Sequence, residues 1–130
     1  MANLEDNIAP SITWYWGSNV DSILPPLQTQ YPTAYIKNNN TRFWNGYGSE
    51  DTVIWRNFNG KYPFRLLMHL MDRYPLRVEV RGSSRVWTTK QIIIMSRNRP
   101  ESYYPDPHGT LERRLREFTA RIEMPDNGQR

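Results

Sequence analysis

The chain has 130 residues, 17 basic against 13 acidic side chains, and no cysteine. That length suits one domain, and the missing cysteine excludes a disulfide framework, a thiolate nucleophile and a cysteine-based zinc or iron–sulfur site. Apolar runs of only a few residues exclude a membrane-spanning helix, and the polar, acidic stretch Met1–Pro10 does not read as a secretory signal.

Leu, Ile, Val and Phe together make up about a fifth of the chain, which predicts a modest core. The 17 aromatic residues (5 Trp, 8 Tyr, 4 Phe) supply the missing burial. Ser11–Trp16 is rich in β-formers and stops at Gly17-Ser18, so it is predicted as a strand. Asn19–Gln30 contains Pro25-Pro26 and allows a short helix at best. Ala34–Ile36 is a brief strand, Asn38–Asn40 and Asn45-Gly46 are turns, and Thr52–Trp55 is a buried strand ended by Asn59-Gly60. Pro63 opens a helix whose Phe64, Leu67, Met68 and Met71 form one apolar stripe, closed by Asp72–Pro75.

Leu76–Val80 alternates strictly, as a half-buried strand does, and Gly82–Ser84 turns the chain towards Val86-Trp87 to make a hairpin. Ile92–Ile94 is the most apolar strand and belongs at the centre of the sheet. Pro100–Pro107 is a proline-punctuated loop, Leu111–Arg116 is helical, Phe118–Met124 is a last strand, and Pro125–Arg130 is expected to be a disordered tail. Strands separated by helical or irregular connections predict an α/β sheet, with 11–16, 52–55 and 91–95 at its centre. Apolar strands without alternation require cover on both faces.

Charge is uneven along this order. Residues 1–50 carry a formal charge of -2 and residues 51–130 carry +6, and 14 of the 17 basic residues are arginine. Arginine's rigid fork suits phosphate and stacks on bases, so an Arg- and aromatic-rich half points towards nucleic acid; a solvated surface explains the same charge.

Five stretches together resemble a known family: Trp44–Tyr47, Thr52–Gly60, Pro63–Leu67, Leu70–Gly82 and Ile92–Ser96. Trp14–Ser18 and Pro100–Tyr104 fit as well. They are similar to the superfamily 3 helicase domain of replication-associated (Rep) proteins from circular single-stranded DNA viruses, circovirus-like ones in particular. The resemblance implies a P-loop NTPase-like (AAA+-like) sheet with flanking helices. It divides the chain into a lead-in at 1–10, a helicase-like P-loop domain at 11–124 and a tail at 125–130. It also implies ATP-dependent unwinding of DNA in rolling-circle viral replication, with ATP and magnesium as cofactors. Rep-like subunits would be partners in a homo- or hetero-oligomer, single-stranded DNA the substrate, and the host nucleus the location.

The family's catalytic motifs are altered in this chain. Its glycine-rich loop ends in Gly-Lys-Ser/Thr; here Gly17–Leu24 takes that place. Gly17 and Ser18 remain as cofactor-binding candidates, while Ile23 and Leu24 replace the lysine and the hydroxyl residue, and Asp21 adds a negative charge. Where the family has Val-Ile-Ile-Asp-Asp-Phe, this chain has Val53–Phe58, with Arg56 and Asn57 in place of the two acids. Arg56 cannot ligate a cation and Asn57 cannot act as a general base.

The third motif, Thr-Ser-Asn in the family, reads Met95-Ser96-Arg97, which leaves Asn98 one position late. The resemblance therefore predicts a degenerate nucleotide loop, no functional cofactor, no metal site and loss of ATP hydrolysis. Active chemistry would need Lys37 or Lys61 to reach the nucleotide from elsewhere. Restoring the family's residues at Ile23, Arg56, Asn57 and Arg97 would lower the net charge from +4 to +1, so much of the basic excess comes from motif change.

Arg113-Arg114 stands where such ATPases place an arginine finger, and a surface pair is the plainer reading. His69, His108, Tyr103 and Tyr104 do not compose the family's nicking site and are expected to serve packing. A Lys-Gly hairpin contacts DNA in the resembling domain, and Arg81-Gly82 fits it. Arg77, Arg85, Trp87 and Lys90 complete the candidate nucleic-acid set. A partly paired, solvated face at Arg77, Glu79 and Arg81 is the alternative. An interaction or single-stranded-DNA-binding module without enzymatic activity, or an endogenised relic, remain the other readings of the whole.

Overall fold

The computed structural model describes residues 9–72, 76–105, 109–113 and 119–124. Among the described residues the elements follow in the order β1 (Ser11–Trp16), α1 (Leu24–Gln30), β2 (Tyr35–Lys37), β3 (Thr52–Phe58), α2 (Phe64–Leu70), β4 (Arg77–Val80), β5 (Ser83–Val86), β6 (Gln91–Ser96) and β7 (Thr119–Glu123). Short 3-10 turns span Val20–Ile23 and Pro100–Ser102. The prolines that limit the first helix sit in its first turn, where their missing N–H groups cost nothing. Residues 110–113 are helical, and the rest of the helix predicted over Leu111–Arg116 lies outside the described residues, as do Phe118, Tyr74-Pro75 and the tail.

Five strands form one sheet in the order β2-β3-β6-β1-β7, all parallel. The α/β reading and the three central strands agree with this order. Sequence-distant β1 and β3 both pair with β6, which makes it central, and core layers on the two faces bury Ile92–Met95. Ile12, Trp14, Val53, Trp55, Ile92 and Ile94 face a large aromatic core under α2 and the β4–β5 hairpin. Ile54, Ile93 and Met95 face a smaller one with Val20 and Leu27 of the first helical segment. Trp14, Trp44 and Trp55 are fully buried, each worth about 4 kcal/mol of transfer free energy before entropy is charged.

The hairpin stands apart as a two-stranded antiparallel ribbon closed at Arg81-Gly82, so Ser83 and Ser84 belong to β5 rather than to the turn. It is tied back by the Trp44 N–H donating to Glu79 O at 2.8 Å, while the Trp87 N–H bond to Leu76 O at 2.8 Å extends its own ladder by one pair.

Candidate functional site

In a parallel sheet, loops at the carboxyl ends of the strands converge, and ligands are commonly taken there. At that edge β1, β3 and β6 end in Trp16, Phe58 and Ser96. A cavity of about 330 Å³ opens between their loops, lined by Val20, Asp21, Asn57, Phe58, Asn59, Met95, Ser96, Arg97, Asn98 and Tyr103. The described segments thus bring together residues of all three stretches compared with the family's motifs: Asp21, Asn57, and Arg97 with Asn98.

The β1 loop is tight. Gly17 donates its N–H to Ser96 O at 3.1 Å and accepts from Val20 at 3.2 Å. Its φ of 147° and the approach of Met124 O, 2.7 Å from where a Cβ would stand, explain why this position is glycine. Ser18 is exposed and Ile23 half-buried at the base of α1.

The end of β3 carries a β-bulge: Trp55 pairs with Ile94, and pairing resumes one residue late at Phe58 and Ser96. Asn57 takes a φ of 61° there, a conformation that asparagine tolerates better than most residues. Asn40 clamps the bulge, donating from Nδ2 to Asn57 O at 2.8 Å and accepting the Asn59 N–H at Oδ1 at 3.0 Å. Arg56 lies on the α1 side of the sheet, with Nη2 4.0 Å from Asp21 Oδ1. At that distance, and with both side chains partly exposed, the pair is a weak electrostatic contact.

Beyond β6, Arg97 and Asn98 are both exposed and both line the cavity; the one-position shift does not remove Asn98 from it. The Asn98 backbone is pinned by the Ser96 hydroxyl at 2.7 Å and by the Tyr103 hydroxyl at 3.0 Å. Arg99 lies over the Trp16 ring, 5.2 Å from its centroid.

The second candidate surface is the hairpin. Arg77, Arg81, Gly82 and Arg85 are exposed. Arg77 Nε donates to Ser84 Oγ at 2.7 Å, and Arg81 is held at the turn by its N–H donating to Asn45 Oδ1 at 2.8 Å. The cross-strand register places Arg77 and Glu79 on one face and Arg85 with Val78 on the other, so the arginines do not form a single row. Glu79 pairs with Arg42 at 3.1 Å. Lys90 is exposed but sits at the opposite, amino end of β6, where its N–H donates to Asp51 O.

Three sequence expectations change here. Trp87 is not a surface stacking platform: it is buried, stacks on Tyr47 at 5.2 Å and donates from Nε1 to Leu70 O at 3.3 Å. Lys37 cannot reach the cavity, because its ammonium donates to Asn39 Oδ1, Thr41 O and Phe43 O and lies 4.5 Å over the Trp44 ring. His69 is exposed on α2 rather than packed, while Tyr103 and Tyr104 do serve the core. His108 and Arg114 lie outside the described residues; Arg113 is exposed.

The Asp21–Arg56 contact and the buried Lys37 were not legible in the sequence. The first needs the strand order that sets β1 and β3 on either side of β6. The second is a lysine among asparagines, whose only sequence signal is a tryptophan seven positions on.

A parallel α/β sheet with its candidate ligand cavity at the strand ends is compatible with a P-loop-like protein. The RNA helicase family model matches residues 16–99, well over half of the chain, and the chain belongs to that family as a circovirus-like Rep helicase domain. Among its curated relatives are the replication-associated proteins of Canary circovirus, 49% identical over 65 residues, and of Beak and feather disease virus, 41% identical over 64. These alignments cover 49% of this chain and 22% of each relative. The replication-associated protein of Porcine circovirus 2 is 36% identical over 72 residues, 55% of this chain and 23% of the relative. The matched stretch therefore spans less than a quarter of these relatives' length.

Proposed function

We propose that this chain is a helicase-like domain of a viral-type replication protein that engages single-stranded DNA through its hairpin and has lost metal-dependent ATP hydrolysis. The observation that carries the reading is the end of β3, where Arg56 and Asn57 replace the two acids of the resembling family and Arg56 turns towards Asp21. A magnesium–nucleotide complex does not fit these residues. It needs carboxylates at the strand end and a lysine in the β1 loop, and here a guanidinium, an amide and Ile23 stand there. Among the described residues no group of three or more His, Asp or Glu side chains is placed to hold a metal.

The retained role is DNA contact, supported by exposed Arg77, Arg81 and Arg85 around a turn that leaves open space at Gly82. No described helix is long and apolar enough to cross a membrane; the host nucleus is proposed as the setting on the family resemblance alone. The test is a salt titration of oligonucleotide binding beside a magnesium–ATP turnover assay. Binding should weaken linearly with log salt, and Arg81→Ala should reduce the slope by about 1. Turnover should stay at background. A flat salt response rejects the DNA role, and turnover above background rejects the loss of hydrolysis.

A further inference from the structure

A smaller cavity, of about 120 Å³, lies between α2 and the β4–β5 ribbon. Leu66, His69 and Leu70 line it from one face of α2, at the i, i+3, i+4 spacing. Leu76 and Val78 line it in alternation with Arg77 and Glu79, so it runs along the edge of β4. Its interior is apolar: Leu70 and Val78 are buried, Leu66 and Leu76 half-buried. The one buried polar side chain lining it is Tyr62, 2% exposed. The Tyr62 hydroxyl accepts the Trp44 Nε1 proton at 3.1 Å, and its own proton has no acceptor among the described residues. Burial first, and the Glu79 carboxylate last, push this phenol up to about 12, so it stays a donor at neutral pH. A buried donor without an acceptor is costly, and a ligand carbonyl relieves that cost.

The mouth of the cavity is basic. Arg42 and Arg77 are exposed there against one carboxylate, Glu79, which Arg42 pairs at 3.1 Å. The basic surface continues to the hairpin turn, because Arg42 and Arg81 lie over the same Phe43 ring, 4.6 and 5.3 Å from its centroid. A phosphate backbone that follows Arg81 and Arg42 therefore passes the mouth. A cavity of about 150 Å³ holds benzene, so this one suits a single six-membered ring better than the fused rings of a purine.

We propose that this cavity receives a pyrimidine base of single-stranded DNA. The Tyr62 hydroxyl donates to a ring carbonyl, Glu79 accepts from the N–H edge of the base, and Arg42 and Arg77 hold the flanking phosphates. The inference rests on the reading that the hairpin engages single-stranded DNA, and it adds a base preference that phosphate contacts alone do not provide. Both pyrimidines carry the 2-carbonyl, and each offers a carboxylate an N–H: the ring N3–H of thymine or the exocyclic amine of cytosine. Arg42 thereby joins the DNA-contacting set although it lies in the loop before β3.

The experiment is fluorescence anisotropy of the full chain with labelled dT, dC and dA strands of equal length, and an abasic strand with the same number of phosphates, across a salt series. The dT and dC strands should bind about fivefold tighter than the dA and abasic strands. Leu66→Phe, which fills the cavity, should remove that preference and leave the salt slope in place. Arg42→Ala, at an exposed site, should reduce the slope by about 1 for every strand. Because a filled cavity can disturb folding, the unmodified chain is also photo-crosslinked to a strand bearing 5-iodouracil. Adducts are expected on Tyr62 or His69, the aromatic rings that line the cavity. Equal binding of pyrimidine and purine strands, a preference that survives in folded Leu66→Phe, or adducts that spare both rings overturns the proposal. Salt-dependent binding without a pyrimidine preference rejects this inference alone. No binding, or a flat salt response, rejects the DNA reading and this inference with it.

Discussion

Lys37 is the residue whose energetics depart furthest from its sequence context. Its side chain is buried, satisfied by three oxygens and set over Trp44, Trp55 and Tyr62, the last two at 5.5 and 5.7 Å. Burial lowers its pKa to about 8, against an ordinary 10.5. Between those two values the unfolded chain holds a proton that the folded chain has released, so stability rises with pH there. Below pH 8 both states are charged and the full burial cost is borne. Burial raises Tyr62 to about 12 and Tyr104 further still, and their ionisation in the unfolded chain lowers stability above about pH 10. The window from pH 8 to 10 is therefore where Lys37 dominates. Chemical denaturation across it should show wild type gaining stability relative to Lys37→Met, and parallel curves would show that the ammonium's burial carries no such cost.

Elements show how similar glycines do different work. Gly17 at the end of β1 and Gly82 in the hairpin turn both hold positive φ, 147° and 78°. A Cβ at Gly82 meets nothing within 4 Å, whereas one at Gly17 meets the Met124 carbonyl at 2.7 Å. Gly82→Ala should cost about 1 kcal/mol, the backbone term alone, and leave the ribbon's Arg77–Ser84 bond in place. Gly17→Ala should cost about 3 kcal/mol, because strain and a backbone collision add. Urea midpoints of the two variants test the difference, and equal costs would reject it. The sequence marks both positions as turns but cannot rank them, since the clash partner of Gly17 lies over 100 residues away. The same distance effect hid the fate of Trp87. A tryptophan after an Arg-rich strand reads as a base-stacking surface, but Trp87 stacks on Tyr47 and donates from Nε1 to Leu70 O, which holds it in the aromatic core.

Across the whole molecule, stability rests on one aromatic cluster more than on aliphatic packing. Trp44 meets Tyr47, Trp55, Tyr62 and Trp87 edge-on at 5.1 to 6.3 Å and donates from Nε1 to the Tyr62 hydroxyl at 3.1 Å. Trp44→Ala should therefore cost about 3–5 kcal/mol, a large part of the stability of a chain this size. Thermal unfolding measures it, and a loss under 1 kcal/mol would mean that the cluster is not the keystone. The hairpin, the β2–β3 edge and α2 all lean on this cluster, so the loss should reach the β4–β5 ribbon as well.

Composition, pattern and residue identity by themselves determined much of this protein. They set the α/β class, the central places of Ser11–Trp16, Thr52–Trp55 and Ile92–Ile94, the hairpin, and the family resemblance that the family match bears out. These are local properties, written in apolar runs, alternation and turn residues, so a linear reading reaches them. The folded structure alone decided which residues of the three candidate motif stretches meet, that Asp21 faces Arg56 across β6, that Asn98 lines the cavity, and that Lys37 and Trp87 lie inside. The physical reason is the parallel sheet: each strand's neighbour is separated from it by a long crossover. The contacts that set charge pairing and burial therefore join residues whose chain spacing carries no sign of them.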